Sequence, residues 1–166
     1  AGENGGGKST LIKILSGFYT PDAGEIEICG KKYPHGLTPS QAIEEGIQVV
    51  YQDFSLFFNM SVAENIALPI EFANRKWRYY PKNIRTSARK ALEKIQIDID
   101  LDAKVGSLPV ASKQMVAIAR AVVQNAKLVI LDEPTTALTR KEVSRLMSLV
   151  KDLASQGVAI IFVSHK

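Results

Sequence analysis

The sequence predicts an α/β fold with a mainly parallel sheet and an all-helical insertion in its middle. Three observations carry this expectation. Both ends of the chain alternate short apolar runs with helix-period segments, and parallel strands need such helix-sized crossovers. The runs at 128–131 and 158–163 are continuously apolar, as strands covered on both faces are. From residue 61 to about 126 the hydrophobic period is mainly helical.

The elements follow in order. Residues 1–10 are glycine-rich and end in Lys8-Ser9-Thr10. Leu11, Ile12 and Leu15 give a short helix that Gly17 can close. A turn at 20–24 leads into an alternating strand at 25–29. Thr38-Pro39-Ser40-Gln41 is a capping box opening a helix that Gly46 ends. A strand at 47–51 runs directly into Gln52. Ser61-Val62-Ala63-Glu64 is a second capping box, and helices are expected over 61–68, 86–95 and 112–125. A strand is expected at 127–132. Thr139-Arg140-Lys141-Glu142 then caps a helix with Val143, Leu146, Met147, Val150 and Leu153 on one face, ended by Gly157. The strand at 158–163 delivers Ser164-His165-Lys166. The expected division is a first part of the core at 1–60, a helical subdomain at 61–126 and a second part of the core at 127–166.

Composition bounds the function. At 166 residues, 46% hydrophobic and 23% charged, the chain is one ordered domain's worth. No apolar run reaches the ~18 residues of a membrane helix, and the start Ala1-Gly2-Glu3-Asn4 does not read as a signal peptide. The one cysteine, Cys29, excludes a disulfide framework and a cysteine-based zinc site, and a reducing compartment fits. A net charge of +4 leaves nucleic acid, nucleotides and anionic surfaces all open.

The motifs narrow this. Gly2-x-x-x-x-Gly7-Lys8-Ser9 is a phosphate-binding loop. Gly2, Glu3, Asn4, Gly5, Gly6 and Gly7 present backbone N–H groups to phosphate, and a helix starting near Lys8 aims its positive end at the same anion. Lys8 reaches the β- and γ-phosphates, and the Ser9 hydroxyl, followed by Thr10, suits Mg²⁺. Taken alone, the motif could equally be a glycine-rich turn. The strand ending in Asp132-Glu133 removes that ambiguity, because open α/β sheets bind ligands at the carboxyl ends of their strands. Asp132 suits Mg²⁺ through its water shell, and Glu133 suits the proton of an attacking water. Gln52 and His165 each follow a strand and fall at the same edge. Gln52 suits Mg²⁺ and the attacking water, and His165 the γ-phosphate or Glu133.

These residues resemble the nucleotide-binding domain of ABC transporters, whose fold is a P-loop NTPase core with a helical insertion. Residues 2–10 look like Walker A, Gln52 like the Q-loop glutamine, 128–133 like Walker B with its catalytic glutamate, 134–139 like the D-loop, and His165 like the switch histidine. Val49-Val50-Tyr51-Gln52, 61–66, 114–120 and 132–139 are similar to the sugar-importer branch, most of all to the first of two fused cassettes. The resemblance implies ATP as substrate and Mg²⁺ as its ion. It implies a second cassette, membrane permease subunits and, indirectly, a substrate-binding protein as partners. It further implies a peripheral place on the cytoplasmic face of the membrane and no nucleic acid. Two cassettes would close head to tail over two ATP molecules, each held between one Walker A and the other signature helix. The rival reading is an ABC-type ATPase without a membrane partner, or an impaired cassette.

Four features depart from the family pattern or need separate weighing. Where the family has Leu-Ser-Gly-Gly-Gln, this chain has Leu108-Pro109-Val110-Ala111-Ser112. Pro109 has neither hydroxyl nor N–H for a γ-phosphate. Losing one charge-assisted hydrogen bond costs about 1.5–3 kcal/mol, or about tenfold to a hundredfold, unless Ser112 or Lys113, at the helix start, compensates. The expected outcome is an asymmetric pair whose productive ATP sits on this chain's own Walker A. Thr139 replaces an aspartate and is read as a helix cap. Residues 54–58 are either junction core or the wall of a groove for a membrane subunit, and 75–80 are read as a solvated loop in preference to a nucleic-acid patch. Cys29 is expected to pack inside a strand and His35 to be exposed. The pattern also implies further strands on both sides, hence a fragment binding ATP weakly by itself.

Overall fold

The computed structural model describes residues 6–73 and 81–164. In chain order it contains α1 (Lys8–Leu15), β1 (Ile26–Ile28), β2 (Lys31–Tyr33), α2 (Pro39–Glu44), β3 (Ile47–Val50), α3 (Val62–Ala73), α4 (Pro81–Lys94), α5 (Val110–Val123), β4 (Leu128–Asp132), α6 (Arg140–Ser155) and β5 (Ala159–Val163). Strands β3, β4 and β5 form a parallel sheet in that order, with Val50 opposite Leu131, Leu131 opposite Phe162, and Asp132 opposite Val163. The β3–β4 crossover passes through all the helices of the insertion, and the β4–β5 crossover is α6.

Side-chain alternation along β4 explains its continuous apolar run. Val129 and Leu131 enter a large core with α3, α4, α5 and α6, where Val62, Ile66, Val116 and Leu146 are fully buried. Ile130 points the other way, into a smaller core with Ile12 of α1, Tyr33, Leu37, Ala42 and Ile47. Both faces of the strand are therefore covered, which removes any need for polar positions within it.

All three capping boxes form. Thr38 N–H donates to Gln41 Oε1 at 2.8 Å and Gln41 N–H to Thr38 Oγ1 at 3.3 Å. Ser61 and Glu64 exchange the same pair at 2.9 and 3.2 Å. Thr139 and Glu142 do so at 2.7 and 3.4 Å, so Thr139 is a cap as its position predicts.

Several boundaries and one element differ from expectation. β2 is additional, because Lys31-Lys32-Tyr33 is too short and too basic to read as a strand. It pairs antiparallel with β1 in a register that leaves Cys29 and Gly30 as a two-residue turn. Both have left-handed backbones, φ 50° and 81°, the geometry that matches strand twist in tight hairpins. Cys29 is thus exposed in a turn and not packed within a strand. His35 is exposed as expected. Helix α3 continues past Pro69 to Ala73, where a stop at 68 is expected from the missing N–H. Helix α4 starts at Pro81, a residue that suits a first turn, and not near 86. Helix α5 starts at Val110, with Pro109 as its N-cap, and not at Ser112. The basic-aromatic stretch at 75–80 lies outside the described residues.

Gly17 closes α1 with φ 79°, and a Cβ there would lie 2.3 Å from the carbonyl carbon of Thr38. The end of α1 and the start of α2 touch through bare backbone. Gly17→Ala is expected to cost roughly 2–4 kcal/mol, combining a left-handed penalty with overpacking, measurable as a lower urea midpoint. Glu142 supplies a second prediction. The backbone N–H of Thr139, and then its hydroxyl, hold the Glu142 carboxyl below its ordinary value of 4.5. A depressed carboxylate contributes stability above its unfolded pKa and loses it as pH falls through the folded value. The stability difference between the parent and Glu142→Gln is therefore expected at pH 7 and should vanish on acidification below pH 4.5, as followed by urea titrations at a series of pH values.

Candidate nucleotide-binding site

The carboxyl edge of the sheet brings together Gln52, Asp132 and Glu133. In-register pairing puts the ends of β3, β4 and β5 side by side. Gln52 lies two residues beyond Val50, and Asp132 is the last residue of β4. Tyr51, Gln52, Asp53, Ser55 and Asp132 line one open cleft of about 670 Å³. Glu133 extends the ladder by one bond, its N–H donating to the Val163 carbonyl at 2.9 Å. The chain turns there sharply. Glu133 has φ 48°, which costs a non-glycine residue about 1–2 kcal/mol, and its Oε2 accepts from Thr136 Oγ1 at 3.1 Å. A left-handed residue straight after a strand turns the following chain out of the sheet plane.

Helix α1 carries the end of the glycine-rich segment, and its first residues are not among those that line the cleft. Gly7 is its N-cap with φ 74°, Lys8 and Ser9 are its first residues, and no acidic residue stands in the first turn. Leu11 N–H closes the turn on the Gly7 carbonyl at 2.8 Å. One turn further on, Ile12 packs in the same core as Ile130 and Ile47, seating α1 on that face of the sheet. Gly6 and Thr10 flank this start. Gly2, Glu3, Asn4 and Gly5, like His165, lie outside the described residues.

Beyond Gln52 the chain forms a compact loop. The Phe54 N–H donates to the Tyr51 carbonyl at 2.9 Å, enclosing Gln52 and Asp53 in a turn. Phe54 and Ser55 both have left-handed backbones, φ 63° and 45°. Asp53 Oδ1 accepts from the Ser55 N–H and hydroxyl, each at 3.2 Å. Two side chains from the helical insertion grip this loop. Arg120 of α5 donates through Nη1 to the Ser55 carbonyl at 2.7 Å and through Nη2 to the Phe54 carbonyl at 3.1 Å. Asn65 of α3, 1% exposed, accepts from the Phe57 N–H at 2.8 Å and donates to the carbonyls of Phe57 and Ser61 at 2.9 and 3.0 Å. Burial lowers the pKa of the Arg120 guanidinium, which stays charged throughout the physiological range. Sequence reading missed both residues as loop anchors. An asparagine on the buried face of an amphipathic helix is the signal that could have found Asn65. Nothing in the sequence points to Arg120. Within 54–58, Leu56 is buried, as junction core should be, while Phe57 and Phe58 are 59% and 50% exposed.

The start of α5 is bare. Pro109 makes no side-chain cap, and no acidic residue stands in the first turn. Ser112 is the third helical residue and not the opener. Lys113 Nζ donates to the Gly106 carbonyl at 3.1 Å and sits 5.2 Å above the Phe58 ring. In this arrangement its charge lies against the loop at 105–107.

A parallel sheet with these strand tips, beside a helix opened by Gly7-Lys8-Ser9, is the framework of a P-loop NTPase. Residues 1–136 match the family model described as ABC transporter, and the chain belongs to that family. It is 47% identical over 166 residues to the ribose import ATP-binding protein RbsA of Corynebacterium glutamicum, covering 99% of this chain and 31% of that protein. The chain spans about a third of the length of the curated relatives it matches. Among solved structures, the ATP-binding cassette MJ0796 in a dimeric post-hydrolysis state bound to ADP and Pi superposes with a TM-score of 0.80 at 29% identity, over 98% of this chain and 72% of that one. The ADP conformation of the cassette MJ1267 superposes at 0.81 with 25% identity, over 99% and 68%.

The backbone at Glu133 yields a stability test. Glycine adopts φ 48° freely and alanine does not. Glu133→Gly is expected to be more stable than Glu133→Ala by about 1 kcal/mol, the reverse of their usual order, as read from paired urea denaturation curves.

Proposed function

We propose that this chain is part of the ATP-binding and ATP-hydrolysing subunit of an ABC importer for a monosaccharide. The observation that supports it most is the cleft in which Gln52 and Asp132 meet, with Glu133 next in the chain. The 47% identity to a ribose import ATP-binding protein supports the substrate class.

In this reading the backbone of residues 2–7 and the N-terminus of α1 bind the phosphates, and Lys8 neutralises the β- and γ-phosphates. Ser9, Gln52 and Asp132 would hold Mg²⁺. A hydroxyl, an amide and one carboxylate are hard oxygen donors, and Mg²⁺ typically takes one or two carboxylates together with substrate phosphates. The absence of a cluster of three or more acidic, histidine or cysteine ligands among the described residues is compatible with that sharing. The ion supplies charge neutralisation on the phosphate oxygens. Glu133 accepts the proton of the attacking water, Gln52 orients that water, and His165 contacts the γ-phosphate. Residues 61–126 serve as the helical subdomain between two parts of the core, 1–60 and 127–166.

The partners proposed are a second cassette, membrane permease subunits and, through them, a substrate-binding protein. Nucleic acid is not among them. The working place is the cytoplasmic face of the membrane, as a peripheral subunit. Among the described residues no helix is long and apolar enough to cross a membrane. Exposed Phe57 and Phe58 are the proposed contact to the permease. The capless start of α5, with Pro109 in place of a hydroxyl residue, supports a pair of sites of unequal activity.

The test is Glu133→Gln in the full-length protein assembled with its permease. ATPase activity should fall by about 100-fold or more, with nucleotide binding retained in an equilibrium binding assay. Survival of most of the activity would place the productive site elsewhere.

A further inference from the structure

We propose that Arg120 is a positioning residue for Gln52, acting through the loop that it clasps. The inference rests on the reading of Gln52 as a group facing the reacting phosphate. Gln52 sits inside the turn closed by the Phe54 N–H and the Tyr51 carbonyl. The other polar group of Phe54, its carbonyl, accepts from Arg120 Nη2, and the next carbonyl, that of Ser55, accepts from Nη1. One planar fork thus holds two consecutive carbonyls. Each belongs to a residue in the left-handed region, a conformation that persists only where its surroundings over-determine it. Asp53 braces the turn from within through Ser55, and Asn65 pins its far end at Phe57. Neither of these holds Phe54. Arg120 alone, among the described residues, reaches the carbonyl of the residue that closes the Gln52 turn from an element outside the loop. A lysine could not replace it fully, because one ammonium lacks the two-pronged geometry.

The experiment uses the full-length protein with its permease and compares the parent, Gln52→Ala, Arg120→Ala, the double variant and Arg120→Lys. Arg120→Ala is expected to lower kcat by about tenfold or more while KM for ATP changes by less than about threefold. The double variant should be no slower than Gln52→Ala, since both changes remove the same contribution. Arg120→Lys, which keeps the charge and serves if the alanine variant does not fold, should fall between parent and alanine. Without nucleotide, amide exchange at Phe54 should quicken at least about tenfold in Arg120→Ala, while the amides of α5 keep their protection. Losses that multiply in the double variant, or an unchanged exchange rate at Phe54, would overturn the role of Arg120. An unchanged kcat in Gln52→Ala would instead overturn the reading of the site itself, and the proposal with it.

Discussion

The in-register parallel ladder of β3, β4 and β5 is the constraint on which the rest of the site depends. It sets Val50, Leu131 and Phe162 in one row and places Asp132 beside Val163. A slip of one residue would exchange the two faces of a strand. Val129 and Leu131 would then leave the large core while Ile130 entered it. Burial on both faces forbids that exchange, so the register is held by hydrophobic packing remote from any ligand. The positions of Gln52, Asp132 and Glu133 follow from it.

Three of the six left-handed non-glycine residues among the described ones stand where this ladder ends. Phe54, Ser55 and Glu133 are all non-glycine residues in left-handed conformation, and all stand just past strand tips. Each is secured by hydrogen bonds from elsewhere in the chain or from the turn it belongs to. Glu133 hangs from Val163 of the neighbouring strand, and Phe54 and Ser55 from Arg120. The buried core supplies the stability that lets these turns persist.

The helical insertion therefore does more than cover the sheet. Its helices α3, α4 and α5 share one continuous core with Val50, Val129 and Leu131. Its polar side chains Asn65 and Arg120 reach back to the loop that leaves β3. Asn65 is buried and Arg120 is half-buried, and each finds partners in backbone carbonyls. The exposed pair Phe57 and Phe58 is carried by this same loop, and the Phe58 carbonyl accepts from the Gly106 N–H at 2.9 Å.

The sequence by itself determined the parallel α/β character, the three capped helix starts and the candidate residues Lys8, Ser9, Gln52, Asp132 and Glu133. These are local signals. A capping box lies within four consecutive residues, a buried strand announces itself by its own apolar run, and a strand tip is wherever that run stops. The short β2, the exposed turn at Cys29, the passage of α3 through Pro69 and the early start of α5 were decided by tertiary structure. There pairing and turn geometry that exist only in the folded chain outweighed weak local preference. The same holds for Arg120, separated from its carbonyl partners by 65 and 66 residues. A guanidinium that satisfies backbone groups leaves no mark in composition or periodicity, because its partners are common to every residue type and their meeting exists only once the chain has folded.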